Sequence, residues 1–315
     1  MDNTKILIIK LGALGDFIQS FGAMRAIRKA HPNAKISLLT TSPFKNLAEN
    51  SGYFDDIILD KRPKWYQYKD WKHLKSFLNN SRFTRIYDLQ NNDRTGLYFK
   101  LLKTPKPEWV GIAKGASHRN TSPERTQGKA FEGHVQTLSL AGIDSIEIDT
   151  LGWIEADISS FCLPEKYILI VPGCSPKRPQ KKWPVENYIE LCKKILTETD
   201  ATPVLIGTAQ ERDITSNILK NTGRDKVIDL TGKTSLDQIV VLARDARCAI
   251  GNDTGPIHLI SVTSCPVIVL FNENKKSNPQ RHGPLGENVY CFSAPSLSEI
   301  SPSKVSDLVQ KINAN

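Results

Sequence analysis

One polar, glycine-containing stretch near the C-terminal end of the chain has the residue types of an anion-binding loop. Shortly after the apolar residues 248–250, the chain reads Asp253-Thr254-Gly255-Pro256-Ile257-His258. Pro256 fixes a backbone angle that suits the first turn of a helix, and Gly255 has no side chain to keep a phosphate away. A strand that runs into such a loop presents backbone N–H groups and the positive end of a helix dipole to an anion. The alternative is an ordinary turn in which Asp253 or Thr254 only caps the helix.

Two further groups of polar residues follow predicted strands in the same half of the chain. Four cations lie within six residues after the predicted strand 167–171, namely Lys177, Arg178, Lys181 and Lys182. Ligands of open α/β sheets bind beyond the carboxyl ends of the strands, so a diphosphate is the natural partner of these cations. Glu211 follows Gly207 at the end of another predicted strand, 203–206. Its carboxylate either complements the dipole in the first turn of a helix or accepts hydrogen bonds from a ribose.

A glycine loop also follows the first predicted strand, at residues 5–10. It contains Gly12, Gly15 and Asp16 but lacks the GxGxxG pattern, and no acidic residue ends the second strand. These departures argue against a nicotinamide-dependent dehydrogenase. Asp16 is a candidate general base in this loop. The alternative is a helix N-cap with Gln19 as its capping-box partner, and a helix N-terminus would lower the pKa of the carboxyl group in either role.

No metal or cofactor site is predicted from the sequence. The acidic residues Glu147 and Asp149 lack a third ligand nearby, and the six cysteines show no metal-binding spacing. Residues 231–234 imitate the end of a phosphate-binding Walker A loop, but Val227 stands where that motif requires a glycine. A phosphate site in this chain would therefore be built from cations and backbone N–H groups.

The elements that must position these residues alternate between strand and helix along the whole chain. Short apolar strands separated by amphipathic helical stretches predict an α/β protein with two doubly wound sheets. At 315 residues the chain fits two domains, which we place at 1–155 and 156–315. Residues 113–130 lack apolar periodicity and are predicted to be a mobile loop. A helix at 303–312 follows the last predicted strand.

The net charge of +9 is concentrated in one region of the first half. Residues 61–129 hold 16 Lys and Arg against 5 Asp and Glu, and this region also contains Trp65, Tyr66, Tyr68, Trp71 and Phe77. A basic and aromatic face suits an anionic partner such as a phosphorylated lipid headgroup, an acidic glycan or nucleic acid; the alternative is a solvated face without a partner. Apolar runs fall short of the roughly 18 residues of a membrane span, and residues 1–3 lack the basic region of a signal peptide, so we expect a cytoplasmic protein.

Taken in order, these motifs resemble glycosyltransferase family 9, the lipopolysaccharide heptosyltransferases. The resemblance covers nearly the whole chain and rests on Lys10-Leu-Gly-Ala-Leu-Gly-Asp16, Pro172-Gly-Cys-Ser175, Lys181-Lys-Trp-Pro184, Gly207-x-x-x-Glu211, Asp229-Leu-Thr-Gly-Lys-Thr-Ser-Leu236 and Asp253-Thr-Gly-x-x-His258. It implies a GT-B fold, in which two Rossmann-like domains face each other across a cleft, the first binding the acceptor and the second binding the nucleotide sugar. It also implies inverting, metal-independent transfer of heptose from ADP-heptose to the lipopolysaccharide inner core. In this fold the C-terminal helix is expected to pack back on the first domain.

The resemblance further implies roles for individual residues. Asp16, in the loop with Gly12 and Gly15, matches the catalytic base of the family. The lysine at the donor phosphates is matched by Lys181, and the ribose contact by Glu211. The expected donor-binding set is completed by Lys182, Asp253, Thr254, Gly255 and His258.

Two alternatives stay open at the level of sequence. Residues 272–276 read Asn-Glu-Asn-Lys-Lys where the family usually has a Gly-Pro-Thr turn, so a transferase that uses a different nucleotide sugar is one alternative. A non-catalytic nucleotide-sugar or lipid-binding protein is the other, because a fold alone implies no chemistry. For a heptosyltransferase the expected partners are a nucleotide-sugar donor and an anionic lipopolysaccharide or lipid A core acceptor. We then expect peripheral contact with the inner membrane face and no nucleic acid partner.

Overall fold

Two parallel β-sheets of six strands each organise the chain. The computed structural model describes residues 4–274 and 278–313, and the chain divides into the units Met1–Asp149 and Thr150–Asn315. The sequence analysis places the division slightly later, after residue 155. Each unit has its own sheet and its own apolar core.

The first unit has a Rossmann-type strand order. Its strands are β1 (Lys5–Ile9), β2 (Lys35–Thr40), β3 (Asp56–Leu59), β4 (Arg85–Asp88), β5 (Glu108–Gly111) and β6 (His118–Arg119). Its helices are α1 (Leu14–Ile18), α2 (Phe21–Ala30), α3 (Lys45–Asn50), α4 (Tyr68–Asn80), α5 (Asp93–Leu101) and α6 (Ala130–Ser139). The strands are all parallel and lie in the order β3-β2-β1-β4-β5-β6. The direction of chain progression therefore reverses between β1 and β4.

The second unit repeats this order. Its strands are β7 (Tyr167–Val171), β8 (Thr202–Leu205), β9 (Ile228–Asp229), β10 (Cys248–Asn252), β11 (Val267–Asn272) and β12 (Val289–Ala294). Its helices are α7 (Val185–Glu198), α8 (Arg212–Thr222), α9 (Leu236–Asp245), α10 (Gly255–Ser261), α11 (Pro279–His282) and α12 (Pro302–Asn313). The parallel strands lie in the order β12-β11-β10-β7-β8-β9, so the reversal falls between β7 and β10.

The central strands form because their apolar runs are buried on both faces. The sequence of β7 is YILIV, and all five residues are buried. Strand β1 has the sequence KILII, with only Lys5 partly exposed. Uninterrupted apolar strands of this kind are typical of parallel sheets covered by helices on both sides. The helices complete the cores with one apolar stripe each, as in α7, where Tyr188, Leu191 and Ile195 are buried.

The segment 113–130, predicted to be a mobile loop, contains two short regular elements. Within this segment β6 pairs with β5, and a short 3₁₀-helix spans Pro123–Thr126. Asn120 is buried, and its Nδ2 donates a hydrogen bond to Thr137 Oγ1 at 3.0 Å. The segment is held by backbone pairing and a polar side chain, neither of which produces the apolar periodicity that the prediction relied on.

Two further features belong to the C-terminal part of the second unit. The sequence analysis does not predict β12, an edge strand in which Tyr290, Cys291 and Ser293 are exposed. The C-terminal helix α12 packs against α7 of its own unit, where Ser306 Oγ donates to Glu198 Oε2 at 2.7 Å and Val305 and Val309 enter the core. No helix in residues 4–274 and 278–313 is long and apolar enough to cross a membrane.

Candidate functional site

The predicted site residues lie at the carboxyl ends of strands next to the two points where strand order reverses. The loop of Gly12 and Asp16 follows β1, and Lys181 lies in the connection that follows β7. Asp253 comes directly after β10. In open α/β sheets the crevice at such a point is where ligands bind. Each unit therefore brings its predicted residues to the position at which its fold makes a site.

In the first unit, Gly12 has a backbone conformation that requires glycine. Its φ is +114°, and a Cβ atom there would lie 2.7 Å from Cε2 of Phe44. Phe44 in turn stacks on Phe17 of α1, with ring centroids 4.5 Å apart. The loop is thus pressed against an aromatic pair, which fixes where α1 begins.

Asp16 is an exposed residue in the first turn of α1 and does not cap it. The N-cap position belongs to Ala13, so the predicted N-cap role of Asp16 with Gln19 as partner is wrong. Gln19 instead accepts a hydrogen bond from the backbone N–H of Phe131 at 3.4 Å. Among residues 4–274 and 278–313, no hydrogen bond or ion pair engages the Asp16 carboxylate.

Two buried charged groups lie beneath this loop. Lys10 is buried, and its Nζ donates to the carbonyl of Leu89 at 3.0 Å. Burial lowers the pKa of Lys10, and the negative charges of Asp16 and Asp88 oppose that effect. Burial raises the pKa of Asp88 to about 6, although backbone N–H groups of Gln90 and Asn91 donate to its Oδ1. Lys10 is thus close enough to Asp16 and Asp88 for the charges of both carboxyl groups to act on it.

A buried histidine completes the first unit's site, and the sequence analysis missed it. Ser20 Oγ donates to the backbone carbonyl of Asp16 at 2.6 Å and lies 3.1 Å from His134 Nε2. Burial, together with the charge of Lys10, holds the pKa of His134 well below its usual value. A neutral His134 can donate from Nε2 to Ser20, whereas its buried Nδ1 has no hydrogen-bond partner among the described residues. Ser20 lies between α1 and α2, so this network is located where the two helices meet.

In the second unit, three of the predicted donor-binding residues form one buried cluster. Lys181 Nζ makes an ion pair with Asp253 Oδ2, and His258 Nε2 lies 3.0 Å from Asp253 Oδ1. Burial would raise the pKa of Asp253, but the hydrogen bonds and charges of His258 and Lys181 lower it overall. Asp253 is therefore ionised and holds Lys181 in place, and the alternative in which Asp253 caps α10 does not apply.

Asn252 connects the segments that carry this cluster. This fully buried last residue of β10 donates from Nδ2 to the carbonyls of Pro172 and Gly173, at 2.9 and 3.1 Å. Its Oδ1 accepts from the backbone N–H of Trp183 at 3.0 Å. One amide thus ties the loop after β7 to the segment that bears Lys181. A single polar residue at the end of an apolar strand is the sequence signal that could have identified it.

Glu211 lies over the ends of β7 and β8 as a capping residue. Its Oε2 accepts hydrogen bonds from the backbone N–H of Thr208, at 2.7 Å, and from the Thr208 hydroxyl. A Cβ atom on Gly173 would lie 2.5 Å from Cγ of Glu211, and one on Gly207 would lie 3.2 Å from its Cβ. Both glycines leave the space that this side chain occupies. The other carboxylate oxygen, Oε1, accepts no hydrogen bond from the described residues.

The remaining predicted residues surround the cluster in different ways. Thr254 occupies the N-cap position of α10, but its hydroxyl makes no capping bond, and its buried Oγ1 has no partner among the described residues. Gly255 begins α10. Lys182 is exposed, as are Lys177 and Arg178. Of the four predicted cations, only Lys181 contacts the cluster. No group of three potential metal ligands occurs in the part of the chain that the structure describes.

Two Rossmann-type units in one chain are the architecture of the GT-B glycosyltransferases, and solved structures share this fold. A glycosyl transferase family 9 protein from Veillonella parvula superposes with a TM-score of 0.81 at 19% identity, covering 99% of this chain and 97% of that one. The E. coli heptosyltransferase WaaC with ADP superposes with a TM-score of 0.74 at 17% identity, covering 98% and 100%.

The chain belongs to glycosyltransferase family 9. The family model described as "Glycosyltransferase family 9 (heptosyltransferase)" matches residues 143–312. Lipopolysaccharide heptosyltransferase 2 of Escherichia coli K12 is 30% identical over 288 residues, which cover 85% of this chain and 82% of that protein. The protein is therefore an enzyme that transfers a glycosyl group.

Proposed function

We propose that this enzyme transfers heptose from ADP-heptose to the inner core of lipopolysaccharide, with inversion at the anomeric carbon and without a metal ion. Family membership and the name of the 30% identical E. coli relative support the heptosyl group and the acceptor. ADP as the nucleotide is suggested by the solved E. coli protein of the same fold that holds ADP. In this proposal the first unit binds the acceptor and the second unit binds the donor.

The observation that carries the proposal is the Asp16 carboxylate. It is exposed in the first turn of α1, beyond the strand at the reversal point of the first sheet, and makes no hydrogen bond or ion pair with the described residues. A carboxylate without a structural partner, at the start of a helix that follows a glycine loop, is suited to accept a proton from a substrate. A proton acceptor at this position favours transfer over binding alone.

The proposed transfer reaction can be written in full with residues of the two units. An acceptor hydroxyl oxygen attacks the anomeric carbon of heptose from the face opposite ADP, and the bond from that carbon to the diphosphate oxygen breaks. Asp16 takes the hydroxyl proton, and ADP leaves with the electron pair of the broken bond. Negative charge grows on the diphosphate as the bond breaks, so a cation there stabilises the transition state more than the ground state.

Lys181 is the cation that we assign to the diphosphate. It is paired with Asp253 in this structure, and Asp253 also has His258 as a partner. Because His258 keeps one oxygen of Asp253 engaged, Lys181 can turn toward a phosphate without leaving Asp253 unpaired. Backbone N–H groups at residues 254–255 and the Thr254 hydroxyl are further donors for the same anion.

A direct assay tests the proposal. Purified protein is mixed with a panel of nucleotide sugars and with lipopolysaccharide acceptors that lack heptose, intact or delipidated, and products are measured by mass spectrometry. We expect a mass increase of one heptose with ADP-heptose, an inverted anomeric configuration and an unchanged rate in EDTA. Transfer from another nucleotide sugar would replace the donor, a metal requirement would overturn the cation-and-backbone mechanism, and absence of transfer to every acceptor would favour a binding protein.

A further inference from the structure

The most exposed aromatic residues of the chain lie close together on one loop. Trp65, Tyr66 and Tyr68 are 80%, 51% and 73% exposed, and they follow β3 in the segment that we call the aromatic loop, residues 61–68, whose last residue is also the first of α4. Aromatic side chains this large normally bury most of their area. Three of them in four residues form an apolar projection that nothing in the described chain covers.

The aromatic loop is held in place from below. Asp60 is buried and accepts hydrogen bonds from the backbone N–H of Arg62 and from Tyr98 Oη, each at 2.6 Å. Arg94 donates to the carbonyl of Pro63 at 3.2 Å. Buried and half-buried polar groups thus fix the start of the loop, so the exposure of its rings is built into the fold.

The end of the loop is fixed in the same way. The Trp71 indole N–H donates to the carbonyl of Lys64 at 3.0 Å, and the side chain of Gln67 accepts from the backbone N–H of Lys64 at 2.7 Å. Trp71 itself packs edge-on against Tyr98, with ring centroids 6.0 Å apart. The inward-facing aromatics therefore anchor the loop, and the other three point outward.

The charge around the loop has one sign. Residues 61–72 contain a single acid, Asp70, and five exposed cations, namely Lys61, Arg62, Lys64, Lys69 and Lys72. Asp70 is already paired with Lys61 at 2.9 Å. Cations beside Trp and Tyr are the composition of surfaces that lie at the interface of an anionic bilayer, where rings enter the headgroup region and the cations contact lipid phosphates.

We propose that the aromatic loop docks the first unit on the surface of an anionic phospholipid bilayer. Trp65, Tyr66 and Tyr68 insert at the level of the headgroups, and the neighbouring cations bind lipid phosphates. The Trp65 and Tyr66 rings are perpendicular, with centroids 5.6 Å apart, which suits insertion among lipid groups better than stacking of successive nucleic acid bases.

The aromatic loop lies at the same edge of the first sheet as the segment that carries Asp16. The first sheet is parallel, so the loops after β3 and after β1 emerge at the same edge, with β2 between the two strands. Strands spaced about 4.8 Å apart separate them by roughly 10 Å. A bilayer bound by the aromatic loop would therefore lie near the edge that carries Asp16, where a lipid-anchored acceptor has to arrive.

Vesicle partitioning of the full-length protein tests this proposal. Phosphatidylcholine vesicles with and without about one-third phosphatidylglycerol are sedimented with wild type and with a triple variant, Trp65→Ser, Tyr66→Ser and Tyr68→Ser. We expect wild type to prefer the anionic vesicles and the triple variant to lose at least about tenfold of its partitioning. The variant Tyr290→Ser, which removes an exposed aromatic residue of β12, should partition like wild type.

Charge and spectroscopy give independent readouts. Replacing Lys69 and Lys72 by Gln should weaken binding to anionic vesicles about 25-fold, at about fivefold for each lysine, and leave neutral vesicles unaffected. Trp emission should shift to the blue on binding and be quenched by brominated lipid, and Trp65→Phe should remove most of both effects.

Retained thermal midpoints and ADP binding serve as folding controls for every variant. Wild type that ignores anionic vesicles, or a triple variant that binds as well as wild type, would overturn the proposal. Binding of a single-stranded oligonucleotide through the aromatic loop, in place of vesicles, would overturn it too. Loss of transfer to a delipidated acceptor in the triple variant would also contradict it. Because vesicle binding needs neither donor nor acceptor, its outcome is separate from that of the proposed transfer reaction.

Discussion

Three aspartates at the carboxyl ends of strands have different properties because their surroundings differ. Asp16 is exposed and makes no ion pair with the described residues. Asp253 is buried, yet Lys181 and His258 keep it ionised by lowering its pKa against the effect of burial. Burial raises the pKa of Asp88 to about 6. Of these three, only Asp16 has an exposed carboxylate without a partner among the described residues, which is why we propose it as the base.

The variant Asp16→Asn separates the catalytic role from a structural one. The amide has the shape of the carboxylate but cannot take a proton. We expect turnover to fall about 10²- to 10⁴-fold, the range for loss of a general base, while the thermal midpoint and ADP affinity stay at wild-type values. Initial rates by mass spectrometry and ligand-dependent melting measure the two quantities.

A matched aspartate provides the control for this prediction. Asp93 is also exposed in the first turn of a helix, α5 of the same unit. Asp93→Asn should leave turnover unchanged. Because Asp16 makes no capping bond, Asp16→Ala should match Asp16→Asn in stability, whereas loss of a true N-cap costs about 1 kcal/mol. A folded Asp16→Asn protein with wild-type turnover would contradict the assignment of the base.

Lys181→Ala tests the phosphate contact. Hydrogen bonds to charged groups contribute about 1.5–3 kcal/mol, so ADP affinity should fall about 10- to 100-fold, and turnover should fall as well because charge grows on the leaving diphosphate. The neighbouring Lys182 is exposed, and Lys182→Ala should change ADP affinity by less than about threefold. Calorimetric titration with ADP measures both variants. Equal losses of ADP affinity in the two variants would assign the phosphate contact to Lys182 as well.

At the scale of elements, the fit of Glu211 against the loop after β7 depends on one missing side chain. A Cβ atom on Gly173 would lie 2.5 Å from Glu211 Cγ, so Gly173→Ala should displace Glu211 and break its capping bonds to Thr208. The expected loss is about 1 kcal/mol of unfolding free energy. In a Glu211→Ala background the same substitution should cost almost nothing. Urea unfolding of the double-mutant cycle measures this coupling, and additive losses would show that the two residues act independently.

The sequence predicts most strands of both sheets because buried parallel strands leave a strong local signal. The predicted span of β7 equals the observed one, Tyr167–Val171, since every residue in it is apolar and buried. Other features depend on distant partners. Ser20, between α1 and α2, contacts His134, which is far away in sequence, and Asn120 bonds to Thr137. A local pattern contains no trace of such contacts.

The candidate site follows the same rule. Motif spacing brings Lys181, Asp253 and His258 to one position because the loops after β7 and β10 meet at a strand reversal. The motif spacing does not predict that the Asp253 carboxylate would bond to both Lys181 and His258. It also misses Asn252, whose three hydrogen bonds join those loops, because a lone amide has no motif of its own. Burial and pairing, which decide these roles, are properties of the packed unit.

At the scale of the whole molecule, two units with the same strand order carry different groups at the same topological position. The first has an exposed carboxylate above buried Lys10, and the second has a cation held by a buried carboxylate, the pair of Lys181 and Asp253. A proton acceptor and a phosphate-binding cation are complementary requirements of glycosyl transfer from a nucleotide sugar. The repeated fold thus supplies two sites with opposite charge character within one chain.

Ionisation under the Asp16 loop should also affect the stability of the molecule. The folded pKa of Asp88 is raised to about 6, so its stabilising contribution is complete below the unfolded value near 4 and is lost as pH rises through 6. Asp88→Asn keeps an oxygen that can accept from Gln90 and Asn91 but has no charge to bury. Relative to wild type, this variant should therefore gain about 2 kcal/mol of unfolding free energy between pH 4 and pH 7.5.

The comparison between variant and wild type is necessary because His134 acts in the opposite direction. Its pKa lies well below the usual value, so the unfolded chain binds a proton that the folded chain does not, and acid destabilises the fold through this residue. Both groups belong to the first unit. At each pH, the difference between the unfolding free energies of Asp88→Asn and wild type removes the His134 contribution. Fluorescence of the buried Trp109 reports on the same unit. A gap between wild type and Asp88→Asn that stays constant from pH 4 to pH 7.5 would mean that burial does not raise the pKa of Asp88.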